Sequence, residues 1–150
     1  MNKIIWVIVV LVILGLGYAV LNNSSTVESE IVVTEGIYDF GAIDIFDGKV
    51  ETDFTLTNKG IEDVIILAGT TSCGCTEGSI DGIGFGMHEQ MSKSTIIKAG
   101  DSKNVTAIYD PLAHGPEGTG TVTRQLFLKT NSEITPEIEL RISANVVKNQ

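Results

Sequence analysis

Cys73 and Cys75 are the only cysteines of this 150-residue chain, and a single glycine separates them. Three chemistries are open to such a pair. A Cys73–Cys75 disulfide would close a very small ring, which removes little entropy from the unfolded chain. Such a ring departs from relaxed disulfide geometry and is easily reduced. Two free thiols would instead pack as small buried groups at a strand end. Two thiolates would take a soft or borderline ion, Cu(I) or Zn(II). Further donors exist for that last case. Met87, His88 and Met91 cluster in the Gly-rich segment Glu77–Lys93, and His114 lies in the loop Asp110–Pro116. The spacings match no zinc pattern, which would carry a paired His-x₃₋₅-His. The candidate metal ligands are therefore Cys73, Cys75, His114, His88, Met87 and Met91, with copper or zinc as the cofactor of that reading and none in the others.

Catalytic patterns are sparse. Thiol oxidoreductases place Cys-x-x-Cys at a helix N-terminus, where the thiol ionises more readily. Here the spacing is one residue and the surroundings read as strand and turn. The two histidines stand in no Ser-His-Asp arrangement, and no phosphate-binding glycine loop precedes a helix. Gly82, Gly84 and Gly86 alternate within the long segment and read as loop flexibility. The expectation is a protein that is not an enzyme, with thiol-redox chemistry as an alternative.

The elements that must carry these residues are strands. From Ile31 onward the dominant period is two. Val50, Thr52, Phe54 and Leu56 alternate with Glu51, Asp53, Thr55 and Thr57, which predicts a half-buried strand closed by the turn Asn58–Gly60. Val64–Leu67 is an uninterrupted apolar run and reads as a strand buried on both faces. Short strands are expected at 31–34 and 94–97. Longer ones are expected at 104–109, 121–129 and 137–147, the last with Ile138, Leu140, Ile142, Ala144 and Val146 on one face. Tyr38 and Phe40 share a strand face and are assigned to the core, with Gly41 permitting a turn or close packing. Ala99-Gly100-Asp101 makes a turn, and Asp110-Pro111 ends a strand. Seven or eight short strands without a helix predict an immunoglobulin-like antiparallel β-sandwich.

The N-terminus has a different composition. Ile4 to Leu21 is a run of 18 uncharged residues bracketed by Lys3 and the polar stretch NNSSTVESE. As a helix it spans roughly 27 Å, about a bilayer core, with Trp6 and Tyr18 near its ends. It is longer than a signal-peptide core and lacks a small-x-small cleavage site. Residues 1–21 are therefore expected to form one transmembrane anchor, 22–30 a linker and 31–150 the β-sandwich. Lys3 places the N-terminus in the cytoplasm and the domain outside. Net charge is −9, which disfavours nucleic acid and anionic lipid head groups as ligands.

Tyr38-Asp39-Phe40-Gly41, followed by Thr52, Phe54, Asn58 and Gly60, then Ser72-Cys73-Gly74-Cys75-Thr76 and the Ala99-Gly100-Asp101 turn, resembles a bacterial domain-of-unknown-function family with a YDFG…SCGCT signature. The resemblance covers roughly residues 37–147. It implies an immunoglobulin-like fold of the Hydin-like and major-sperm-protein-like branch and an exported location, and it implies no reaction. The chain departs from the pattern in its longer Glu77–Lys93 segment and in Asp101, where the family usually has Glu. Taken together, the expectation is a single-pass, membrane-anchored extracytoplasmic module of the bacterial envelope that binds an envelope protein partner. A soft-metal binding module built on the Cys-Gly-Cys turn is the alternative.

Overall fold

The computed structural model describes residues 29–149. The transmembrane anchor expected over residues 1–21, and all of the linker before Ser29, lie outside the described residues. Ten strands make up the rest: β1 (Ile31–Val33), β2 (Ile37–Asp44), β3 (Val50–Asn58), β4 (Val64–Thr71), β5 (Thr76–Ile80), β6 (Ile83–Gly86), β7 (Thr95–Ile97), β8 (Ser102–Tyr109), β9 (Gly120–Thr130) and β10 (Glu137–Val147). Among the described residues there is no helix long and apolar enough to cross a membrane.

The strands form two five-stranded sheets, ordered β1-β3-β8-β5-β6 and β2-β10-β9-β4-β7. Their inner faces make one core. Phe54, Leu56, Ile80, Phe85, Val105 and Ala107 of the first sheet meet Ile66, Leu126, Leu128, Leu140 and Ile142 of the second. The period-two alternation of β3 and β10 is what permits this, since β10 turns an apolar face inward along its length and β3 turns Val50, Phe54 and Leu56 inward. Ile138, Leu140, Ile142, Ala144 and Val146 are all buried, as their spacing predicts.

Four expectations need correction. The strand count is ten because the segment expected to be a flexible loop holds a β-hairpin. Ile80 pairs with Ile83 across the two-residue turn Asp81-Gly82, whose positive φ values of 53° and 71° are those of the Asp-Gly hairpin turn. Phe85 of this hairpin lies deep in the core. It occupies the space left by two missing side chains: a Cβ on Gly69 would stand 2.6 Å from its ring, and one on Gly78 would overlap the ring outright.

Secondly, the sheets are not purely antiparallel, because β2 runs parallel to β10. A bulge interrupts that pairing at Phe40-Gly41, where Gly41 has φ 69° and donates its N–H to the Asp39 carboxylate at 3.0 Å. Thirdly, Tyr38 is 42% exposed. β2 lies at the margin of its sheet, so only Phe40 and Ile43 reach the core from it; the Tyr38 ring instead packs edge-on against Phe40. Fourthly, β4 is not buried on both faces. Val64 and Ile66 face the core while Ile65 and Leu67 alternate outward, leaving Leu67 52% exposed; the pairing with β9 shifts between Ile66 and Ala68, so Ala68 faces outward as well.

Candidate functional site

The Cys-Gly-Cys sequence forms the turn from β4 into β5, which carries the chain from one sheet to the other. Backbone and hydroxyl bonds hold it on three sides. Thr76 N–H reaches Cys73 O at 3.1 Å, closing the turn, and Ser72 N–H reaches Gln125 O of β9 at 2.9 Å. Asp110 N–H at the end of β8 reaches Cys75 O at 2.9 Å. The buried Thr71 hydroxyl lies 3.0 Å from Cys73 O and 2.9 Å from Thr76 O. The turn is thus pinned to β8 and β9 before its side chains are considered.

Cys73 and Cys75 are joined by a disulfide, with their Cα atoms 5.2 Å apart. The two sulfurs differ in surroundings. Cys75 is buried, whereas Cys73 is only partly covered. The Cys73 sulfur lies 3.3 Å from His114 Nε2. The Cys75 sulfur accepts the Arg124 Nε–H at 3.1 Å. Together the ligating atoms of Cys73, Cys75 and His114 lie within 4.8 Å of one another.

His114 arrives from the loop after β8. Proline at position 111 cannot continue the ladder, and the Asp110 carboxylate caps the turn by accepting Leu112 N–H at 2.9 Å. Gly115 N–H then bonds to Leu112 O at 2.8 Å, which folds the loop back over the Cys turn. Tyr109, buried at the base of this loop, has its phenol pushed above the ordinary range by burial, with Arg124 pulling it the other way and Asp110 adding to the rise.

Of the six residues named from the sequence, the fold brings three together. Met87 and Met91 line a different place, an open groove of about 610 Å³ shared with Leu67, Ala68, Gly69, Thr70 and Phe127, with Lys129 and Glu137 at its rim. His88 is not among the residues gathered around the sulfurs. The sequence reading missed Arg124. A signal for it was present: Val122, Arg124, Leu126 and Leu128 alternate on one strand face, so a cation occupies a register that otherwise points to the core.

Fold and site together define a two-sheet, immunoglobulin-like β-sandwich with a sulfur-bearing turn at one end. Residues 31–146 match the model of the family described as "Protein of unknown function (DUF1573)", and the chain belongs to that family. No curated protein matches it. Among solved structures it is similar to a protein of unknown function from Porphyromonas gingivalis W83, with 17% identity and a TM-score of 0.62 over 83% of this chain and 50% of that one. The chain therefore spans half the length of that relative. It is also similar to the ASH/PapD-like domain of human CEP192, with 10% identity and a TM-score of 0.52 over 82% of this chain and 89% of that domain. At these identities the likeness is one of fold.

Proposed function

We propose that the chain is a noncatalytic interaction module, tethered to a bacterial membrane by its N-terminal apolar run and presenting the β-sandwich outside the cytoplasm to an envelope protein. The observation that carries this reading is the groove beside β4. β7 pairs with β4 only over Val64–Ile66, and beyond that point Leu67 faces outward. The segment after β6 runs alongside, tied by the Thr70 hydroxyl to Gly86 O at 3.3 Å. Between them lies a trough lined by Leu67, Met87, Met91 and Phe127. Methionine side chains adapt to varied apolar partners, and sheet margins are ready places for an extended segment to dock. The apolar run Ile4–Leu21 and the acidic domain that follows it support the tether and the location.

The test is site-specific photocrosslinking in intact membranes. A photoreactive residue at Met87 is expected to give a discrete adduct that Leu67→Asp abolishes. Equal crosslinking from Glu51, on an outward position of the other sheet, would refute the groove as the binding face.

A further inference from the structure

We propose that Cys73, Cys75 and His114 form a Cu(I) site that opens when their disulfide is reduced, a property separate from the groove. Three donors, two of sulfur and one of nitrogen, lie within 4.8 Å of each other. Two come from a turn pinned to β8 and β9, and the third from a loop folded over it. In the oxidised form the sulfurs are bonded to each other and are poor ligands. Opening the site requires a dithiol reductant. The S–S bond takes up two electrons and two protons, giving two cysteine thiols, while the reductant's own two thiols become a disulfide. The metal then displaces the two thiol protons to solvent, and neutral His114 supplies its Nε2 lone pair.

Charge and donor number select the metal. Two thiolates and one Cu(I) carry a net charge of −1, and the Arg124 guanidinium 3.1 Å from the Cys75 sulfur cancels it. A divalent ion in the same place would make the ligated centre neutral and leave the buried side of the site with an uncompensated cation. Zn(II) also takes four ligands in closed sites. Among the described residues no further His, Cys, Asp or Glu joins these three. Soft thiolates with one imidazole suit Cu(I), and a chain of net charge −9 draws cations toward it.

The experiment uses the full chain in detergent, reduced anaerobically by a dithiol that is then removed. It is titrated with Cu(I) against a chromophoric chelator. The expected result is one Cu(I) per chain, absent from the oxidised protein. His114→Ala is expected to weaken binding roughly tenfold or more, the scale seen when a metal site loses a supporting group. Arg124→Met weakens Cu(I) and leaves Zn(II) unchanged or tighter. Met87→Leu/His88→Ala/Met91→Leu binds as the wild type does. Absence of Cu(I) binding by the reduced chain would overturn the proposal, as would binding that persists undiminished in Cys73→Ser/Cys75→Ser. Since His114 is exposed, His114→Ala keeps the test decisive even where the double cysteine variant fails to fold. The groove crosslinks above read a different surface, so either proposal can fail alone.

Discussion

At one end of the sandwich, where β3 finishes, Asn58 is fully buried and every polar group it owns has a backbone partner. Its side-chain amide donates to Glu62 O at 2.7 Å and Ile97 O at 3.0 Å, and its carbonyl oxygen accepts Gly60 N–H at 3.0 Å. Its own N–H and C=O bond to Asp101 and Gly100, each at 3.0 Å. At the opposite end, beyond Val50 and Tyr109, the groups that meet are two sulfurs, an imidazole and a guanidinium. Their contacts are mainly with one another, and His114 is open to solvent. A buried amide with only backbone partners fixes loop geometry and leaves nothing to offer a ligand. A cluster of soft donors beside a cation, reached from solvent on one side, retains chemistry. The same sandwich is thus closed by structure at one end and by reactive groups at the other.

That contrast predicts a graded set of stability effects. Asn58→Ala leaves several buried backbone groups unpaired at once, and is expected to cost roughly 3 kcal/mol in urea unfolding. Removing the disulfide by Cys73→Ser/Cys75→Ser should cost far less, about 1.5 kcal/mol or under, because the ring it closes is so short. His114→Ala should leave the unfolding midpoint within about 0.5 kcal/mol of the wild type while altering metal binding. An Asn58 variant as mild as the His114 one would erase the contrast.

The smallest effect sharpens it further. Asp81, in the hairpin turn at the Asn58 end, has its carboxyl held below the usual carboxylate range, first by the hydrogen bond from Lys103 and then by that from Thr95. A depressed folded-state value stabilises the protein above the unfolded value near 4 and is lost as pH falls through the folded one. The stability gap between wild type and Asp81→Asn is therefore expected at neutral pH and to close as pH drops below about 4. Asp81 is 41% exposed, so solvent screening keeps the gap under about 1 kcal/mol. Unfolding curves of both proteins at pH 7 and pH 3 check it.

Much of the fold was legible because β10 alternates without exception and β3 nearly so, with Thr52 and Asn58 as the polar residues on its inward face, and one largely apolar face per strand leaves few arrangements. What escaped had identifiable causes. The β5–β6 hairpin was hidden by its glycines, which read as flexibility; Gly78 is small to make room for Phe85, and Gly82 serves a turn that Asp81-Gly82 itself announces. The exposure of Leu67 follows from an outward face of β4 left uncovered past Ile66, where its pairing with β7 ends, which an unbroken apolar run does not reveal. Tyr38 read as core because its strand face was clear while its place at the sheet margin was not. The candidate site was half legible. Cysteine count and spacing marked Cys73 and Cys75, and residue type marked His114, 41 positions from Cys73. Only topology could separate His114 from Met87, His88 and Met91, since the loop after β8 and the segment after β6 leave the sandwich in different places.

The most direct test of the sulfur end is X-ray absorption at the copper edge, on the reduced full chain loaded with one equivalent of Cu(I). The structure predicts two sulfur donors and one imidazole nitrogen, with the nitrogen lost in His114→Ala. A shell of sulfur alone, or one that His114→Ala leaves unchanged, would contradict the three-residue site.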